Sequence, residues 1–191
     1  YTFSGSNSIA LNGTVTGSNN INAPIINNIS SGKTLTLTNV RINTGVNADK
    51  FISIRGSGDT IITGTVSNGN EALIRGLTYT GTNGVNTNLG SLTLMGSNTY
   101  NGLTTVTAGT LRVGNNSALG TGTLVLNGGA LSASDSVTAR TLTNNFLVSN
   151  NATLGDSVNS AALTFNGTGN LGTTTRIITN NSAVTLSLIH I

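Results

Sequence analysis

Five carboxylates are the side chains of this sequence best suited to chemistry: Asp49, Asp59, Glu71, Asp135 and Asp156. Hydrolysis of a polysaccharide needs such groups in pairs, one to donate a proton and one to accept a proton or attack the sugar. Asp135 and Asp156 would be neighbours in a chain that coils with a period close to the interval between them. The other interpretation places both in turns, where Asp is common. We expect Asp135 and Asp156 to be turn residues, and we expect the same of Asp49 and Asp59.

Other catalytic and metal-binding chemistry has few candidate residues. His190 is the one histidine and there is no cysteine, so neither a Ser-His-Asp triad nor a histidine or thiolate metal site can be assembled. Gly128-Gly129 is not followed by the Gly-x-Asp of the calcium-binding nonapeptide repeat. Eight Lys and Arg are too sparse for a surface that follows nucleic-acid phosphates. The sequence therefore predicts no catalytic residue, cofactor, metal or nucleic-acid partner.

The elements that must position these residues are predicted from composition and alternation. Hydrophobic residues make up 36% of the chain, mostly Leu, Val and Ile alternating with Thr and Ser, while 7% of residues are charged and 4% aromatic. Alternation with β-branched residues favours half-buried strands, and no segment keeps the period of a helix. A narrow core of stacked aliphatic side chains needs no aromatic bulk. An all-β solenoid fits this composition better than a sandwich.

A strand-and-turn unit recurs in the middle of the chain. Gly90-Ser-Leu-Thr-Leu returns in similar form at Gly109 and again at Gly129, two nearly equal intervals. Strands that return in phase can stack in parallel as successive coils, although Asn-Gly pairs such as Asn101-Gly102 are also the strongest hairpin signal. Asn residues at equivalent turns are expected to stack as hydrogen-bonded ladders. With about 4.8 Å between paired strands, about nine or ten coils would form a rod roughly 45 Å long.

Asn-Gly pairs, including Asn12-Gly13, Asn83-Gly84 and Asn166-Gly167, are expected to mark turns. The strands predicted between turns are 34–40, 51–55, 60–66, 72–79, 91–95, 104–107, 110–113, 123–126, 140–143, 146–148, 162–165, 176–179 and 183–188. Residues 21–31 and 44–50 are expected to be loops. We expect a single solenoid over 1–185 and a separate tail at 186–191, which breaks the pattern and resembles translated sequencing adapter.

Residues 90–114 resemble the autotransporter-associated β-strand repeat, also called the passenger-associated transport repeat. The resemblance rests on alternating apolar residues, then Gly, Asn-Thr-Tyr, Gly, Thr-Thr-Val and Gly-Thr-Leu, and it continues more weakly to Leu131. Leu103 stands where many members have a second Gly. The residues to which we assign structural roles in the repeat are Leu92, Leu94, Gly96, Asn98, Thr99, Tyr100, Gly102, Val106, Gly109 and Leu111.

The resemblance implies a right-handed parallel β-helix in the passenger of a bacterial surface protein of the type V secretion pathway. Such a passenger crosses the outer membrane through a C-terminal β-barrel translocator, which would lie outside this fragment, and folds at the cell surface. The prediction is a non-catalytic, monomeric, extracellular solenoid segment that serves as a stalk or adhesin scaffold and supports export and folding. A host-surface or glycan ligand stays open. The alternative is a fragment of a carbohydrate-active β-helix enzyme, which a clustered acidic groove would favour.

Overall fold

A computed structural model describes residues 1–17, 24–42, 50–69, 73–82 and 89–190, with the backbone alone at Lys50 and 188–190. Within these ranges the chain forms nineteen β-strands and no helix, as the alternating pattern predicted. None of the described segments is a helix that could cross a lipid bilayer.

The strands are short because a turn or bulge interrupts the alternation every few residues. They are β1 Thr2–Gly5, β2 Ile9–Thr16, β3 Pro24–Ile29, β4 Thr34–Ile42, β5 Lys50–Arg55, β6 Asp59–Ile62, β7 Val66–Asn68, β8 Arg75–Thr80, β9 Ser91–Leu94, β10 Thr104–Ala108, β11 Thr110–Val113, β12 Leu124–Leu126, β13 Ala130–Ala133, β14 Arg140–Leu142, β15 Phe146–Val148, β16 Ala152–Leu154, β17 Leu163–Asn170, β18 Ile178–Asn180 and β19 Val184–His190.

The strands form two sheets that run along the stack. In the first sheet β1, β3, β5, β8, β10, β12, β15 and β17 follow one another, and β14 and β19 also pair with β17. In the second sheet β2, β4, β6, β9, β11, β13, β16 and β18 follow one another, and β7 also pairs with β4. Every pairing in the described part of the chain is parallel. Each coil thus adds one strand to each sheet, and the predicted parallel β-solenoid is confirmed.

The coils are longer than the central repeat indicated. Leu92 pairs with Leu111 and Leu111 with Leu131, which are the short intervals of that repeat. Before this region the interval is much longer, since Leu92 pairs on its other side with Thr60. The expected nine or ten coils were therefore too many, since the path through the second sheet has eight strands.

The core is a set of aliphatic columns that run along the solenoid axis. Leu92, Leu111, Leu131 and Leu154 occupy one register position in four successive coils, and none is more than 4% exposed. Burial of each such side chain contributes about 1.5–3 kcal/mol. Repetition of one small set of contacts in each coil therefore supplies a continuous core without tryptophan and with few aromatic rings.

Two Asn-Gly pairs that were expected to form turns lie within strands. Asn12-Gly13 is part of β2 and Asn166-Gly167 is part of β17, and in both strands the register with the next coil shifts at the pair. A register shift of this kind is the mark of a β-bulge, which bends a strand without ending it. The turn prediction at these positions was therefore wrong, and each pair instead bends a long strand.

The N-terminal third differs from expectation in two further places. The predicted loop at 21–31 contains β3, in which Ile25, Asn27 and Ile29 are buried. The single strand predicted at 60–66 is two strands, β6 and β7. The expected loop at 44–50, apart from the Lys50 backbone, and the Asn83-Gly84 turn lie outside the described residues.

Strand β19 continues to His190 and pairs with β17. It therefore crosses the boundary expected at residue 185. The division into a solenoid and a separate tail stays a prediction.

Candidate functional site

Asp135 organises the turn in which it lies. Its Oδ1 accepts hydrogen bonds from the backbone N–H groups of Val137 at 2.9 Å and Thr138 at 2.5 Å. Its Oδ2 lies 2.7 Å from Nη2 of Arg140. The bond from Thr138, followed by that from Val137, lowers the pKa of this carboxyl below its usual value. Asp135 is therefore an ionised hydrogen-bond acceptor.

Asp156 organises a second turn of the same kind. Its Oδ1 accepts from the N–H groups of Val158 at 2.7 Å and Asn159 at 2.6 Å, and its Oδ2 lies 3.2 Å from Nε of Arg112. Partial burial raises its pKa, but the Asn159, Val158 and Arg112 hydrogen bonds outweigh burial and lower the pKa to about 2. This carboxyl too is an ionised acceptor at neutral pH.

The two turns have the same sequence, Asp-Ser-Val, and the same local hydrogen bonds, yet each carboxylate pairs with a different arginine. A carboxyl that acts as a general acid at neutral pH needs a raised pKa, whereas both of these are lowered. The geometry therefore places Asp135 and Asp156 in structural turns, as the less specific interpretation predicted.

Asp59 lines an open cleft of about 490 Å³ beside the start of β6, together with Asn28, Ser30, Ser57 and Leu89. Its Oδ1 accepts from the backbone N–H of Ser91 at 2.9 Å and from Oγ of Ser91 at 2.6 Å. Asp59 is the one carboxylate among the described residues that line the cleft. Glycoside hydrolysis uses two, and the described lining of the cleft supplies one.

The remaining candidates fall outside the described structure. Asp49 and Glu71 are not described, and the side chains of Lys50 and His190 are not described either. In the part of the chain that is described, no three His, Cys, Asp or Glu residues come together as a metal site would require.

The glycines of the central repeat lie where one coil touches the next. Gly90, Gly109 and Gly129 follow one another in successive coils, each just before a strand of the second sheet. A Cβ at Gly90 would lie 2.5 Å from the carbonyl oxygen of Gly58, one at Gly109 would lie 2.6 Å from that of Gly90, and one at Gly129 would lie 2.9 Å from that of Gly109. We call Gly58, Gly90, Gly109 and Gly129 the glycine stack. A larger residue at any of the last three positions would push two coils apart.

Gly96 and Gly102 make equally close contacts at other corners of the coil. A Cβ at Gly96 would collide with the carbonyl oxygen of Gly64, and one at Gly102 would lie 2.6 Å from the carbonyl carbon of Arg75. Gly102 also donates its N–H to the Arg75 carbonyl at 2.7 Å. These positions are small because the neighbouring backbone occupies the space.

Asn98 and Tyr100 are two buried residues of the repeat that carry polar groups. Oδ1 of Asn98 accepts from the N–H of Val66 at 2.7 Å, and its Nδ2 donates to the carbonyl of Ala118 at 2.5 Å. The Tyr100 hydroxyl lies 2.6 Å from Oγ1 of Thr104. Burial raises the pKa of Tyr100 beyond its usual range. Asn98 therefore ties three coils together, and Tyr100 fills the core.

The other repeat residues differ in their burial. Leu92, Leu94, Val106 and Leu111 are fully buried, while Thr99 is exposed. Thr99 nevertheless donates its backbone N–H to the carbonyl of Val66 at 3.0 Å, so every motif residue that was singled out is a packing or backbone-contact residue in the structure. Their assigned role as structural repeat residues stays a prediction.

Asparagines bond to the backbone of a neighbouring coil, in place of the expected side-chain ladders. Oδ1 accepts a backbone N–H one coil away at Asn39, Asn101, Asn116, Asn145 and Asn151. Such a bond satisfies a backbone N–H that faces the neighbouring coil. Each asparagine therefore joins two coils without needing a second asparagine.

Sequence reasoning missed the partners of these residues more often than the residues themselves. The carbonyl oxygens of Gly58 and Gly64 lie against the repeat glycines Gly90 and Gly96. Nδ2 of the buried Asn27 donates to the Asp59 carbonyl at 2.8 Å. The signal for Gly58 was present as a Gly before an alternating strand. It was hidden because the coil that follows is much longer than the coils of the central repeat.

Comparison with known proteins agrees with the repeat. Residues 85–113 match the family model described as Passenger-associated-transport-repeat. The chain is also similar to "Adhesin BmaC autotransporter" of Brucella suis biovar 1 (strain 1330), with 37% identity over 98 residues that cover 49% of this chain and 3% of that protein. No solved structure matches the chain. The resemblance to the autotransporter repeat is confirmed.

Proposed function

We propose that this chain is a non-catalytic stalk or adhesin scaffold in the extracellular passenger of an autotransporter-like surface protein. The observation that carries the proposal is that the motif residues of the repeat either contact a neighbouring coil or pack in the core. Glycine and asparagine positions fix the spacing of neighbouring coils, and leucine positions fill the column between them. A surface built this way holds other parts of a protein at a distance.

The same contacts support a role in export and folding. Each coil of a solenoid contacts only its neighbours, so a chain that emerges progressively can add one coil at a time to coils already formed. The chain is also low in charge and free of cysteine, so that no disulfide can form before the chain has passed the membrane. The partner in this step is a C-terminal translocator, and the location is the bacterial cell surface.

The carbohydrate-active alternative receives no support from the described carboxylates. Asp135 and Asp156 are held in separate turns by separate arginines, and Asp59 is bound to Ser91. We therefore propose that any glycan contact of the parent protein is one of binding, not cleavage.

Display at the surface of a Gram-negative host tests the scaffold proposal. The chain is placed between an epitope tag and an autotransporter translocator, and surface tag and protease resistance are measured on whole cells. We expect a protease-resistant, surface-exposed passenger for the wild type. Gly96→Ala should reduce both signals, whereas Gly13→Ala, a glycine with open space at its Cβ, should not.

The alternative is tested on the purified chain with a panel of acidic and neutral polysaccharides, by reducing ends and by unsaturated products. Turnover that is lost in Asp135→Asn or Asp156→Asn would contradict the non-catalytic proposal. Equal display of Gly96→Ala and wild type would contradict the part of the proposal that assigns export and folding to the repeat.

A further inference from the structure

Asn-Gly pairs are sites of a spontaneous reaction whose rate depends on local structure. The backbone nitrogen of Gly can attack Cγ of the preceding Asn side chain, and the absence of a Cβ leaves the approach open. The attack needs a glycine N–H that is not held in a hydrogen bond and an amide side chain that is free to turn. Pairs in the described residues begin at Asn12, Asn68, Asn101, Asn127 and Asn166.

Two of these pairs, those at Asn68 and Asn101, have a glycine N–H that is held in a hydrogen bond to another coil. Asn12 and Asn166 lie within β2 and β17, at the points where the register with the next coil shifts. Gly69, after Asn68, donates its N–H to the carbonyl of Ile42 at 2.6 Å. The backbone nitrogen that would attack at Asn68 is thus engaged in a hydrogen bond.

Asn101 is the most firmly held although its side chain is exposed. Its Oδ1 accepts from the N–H of Arg75 at 2.9 Å, and the N–H of Gly102 donates to the Arg75 carbonyl at 2.7 Å. Both reacting groups of the pair are therefore bound to one residue of the neighbouring coil. Attack requires both bonds to open.

Asn127 differs in each of these respects. It lies in the exposed turn between β12 and β13, and its own N–H is bound to the carbonyl of Val106 at 2.8 Å. Within the described chain, neither its side-chain amide nor the N–H of Gly128 has a hydrogen-bond partner. Gly128 has φ of 112° and Gly129 has φ of 67°, a local backbone that only glycine adopts readily.

From this contrast we propose that Asn127 is a site of spontaneous deamidation in the folded protein. The Gly128 nitrogen loses its proton to solvent base and forms a bond to Cγ of Asn127. The bond from Cγ to Nδ2 breaks and ammonia leaves, which closes a succinimide. Water then opens the ring at either carbonyl, to give aspartate or isoaspartate. No oxidant or reductant is required.

The product changes the corner at which two coils meet. Either product replaces a neutral amide with a carboxylate, which lowers the formal net charge of +3 by one. Isoaspartate also inserts a methylene into the main chain directly after the N–H that is bound to Val106. Coil spacing at this corner is set by backbone contacts, including that between Gly128 and the Thr107 carbonyl oxygen. The modification is therefore expected to loosen the turn between β12 and β13.

Peptide mapping of the full chain after incubation in mildly alkaline buffer tests the proposal. Trypsin cleavage after Arg112 and Arg140 releases Asn127 on one peptide, while Asn101 lies on the peptide that ends at Arg112. Fragmentation locates each conversion of amide to acid. In the folded chain Asn127 should convert about tenfold faster than Asn101 or more, because Asn101 must first open locally. In denaturant the two rates should approach each other.

Two variants complete the design. Asn127→Gln should remove the fast conversion, whereas Asn101→Gln should leave it unchanged. Equal rates at Asn127 and Asn101 in the folded chain, a faster rate at Asn101, or no conversion at Asn127 while the denatured chain converts would each overturn the proposal. A fast conversion that persists in Asn127→Gln would assign the reaction to another residue and would overturn it as well.

Discussion

Asp135 and Asp156 act through hydrogen bonds to their own turns. Asp156 accepts two backbone N–H groups and contacts Arg112, and each of these interactions favours the ionised form. The sequence Asp-Ser-Val occurs twice and forms the same hydrogen-bonded turn both times. A carboxylate in such a turn contributes to stability only while it is ionised.

Because Asp156 is ionised in the folded chain, we predict that part of the unfolding free energy is lost at low pH. Its pKa is lowered from 3.8 to about 2 in the folded chain, so its contribution is complete above 3.8 and is lost as the pH falls through about 2. Asp156→Asn should flatten the fall of unfolding free energy across that window. Chemical denaturation at several pH values measures the effect, with Ser157→Ala as the control. An unchanged slope in Asp156→Asn would contradict the assignment.

Close approach between coils predicts a sharp difference between two glycines. In Gly96→Ala the new methyl meets the Gly64 carbonyl oxygen, whereas in Gly13→Ala it meets open space. We expect Gly96→Ala to lower the unfolding free energy by about 2 kcal/mol or more, as overpacking of a closed site does. Gly13→Ala should change it by no more than about 0.5 kcal/mol. Thermal or denaturant unfolding of both variants decides the matter, and similar values would show that the coils can separate at little cost.

At the scale of the elements, the columns of leucine predict where the strands derive their stability. Leu111 is fully buried between Leu92 and Leu131, while Leu103 on the same solenoid is 53% exposed. Leu111→Ala should cost about 2–5 kcal/mol and Leu103→Ala less than about 0.5 kcal/mol. Denaturant unfolding of the pair measures both. A small cost at Leu111 would mean that neighbouring coils collapse into the cavity.

The strands that could be predicted from sequence are those whose coil length stays constant. From β9 to β13 the chain returns at a nearly constant interval, so the same letters recur and the repeat is visible. In the N-terminal third the offsets change from coil to coil, and Asn27 replaces an aliphatic residue inside β3. Alternation there is still present, but no period reveals which strands are neighbours.

Prediction of the candidate site was limited for a similar reason. Aliphatic motif positions were identified as core because burial depends on the alternation within one strand. The partners of Gly96 and Asn98 are Gly64 and Val66, which lie far back along the chain in a coil of different length. A contact between coils depends on the length of everything between them, which a local pattern does not specify.

At the scale of the whole molecule, the solenoid is expected to exchange its amide hydrogens unevenly along its length. Strands β9 to β12 are closed by coils on both sides and buried, whereas β2 and β18 have mostly exposed or half-buried residues. In a structure stabilised by nearest-neighbour contacts, opening begins where those contacts are fewest. Hydrogen exchange read by mass spectrometry should show slow exchange in β11 and faster exchange in β2 and β18. Uniform exchange of all strands would instead indicate a single cooperative unit.

The unequal coil lengths also bear on how such a protein can evolve. Thr60 and Leu92 are direct neighbours in the second sheet despite the long segment between them, just as Leu92 and Leu111 are neighbours across a much shorter one. The pairing of strands along the stack therefore does not depend on the number of residues between one strand and the next. Insertions and deletions at corners can change the sequence carried there while every strand keeps its neighbours. Variation at the corners and mechanical continuity along the stack are thus separable in the same molecule, and a foreign peptide inserted at a corner should leave the strand pairing unchanged.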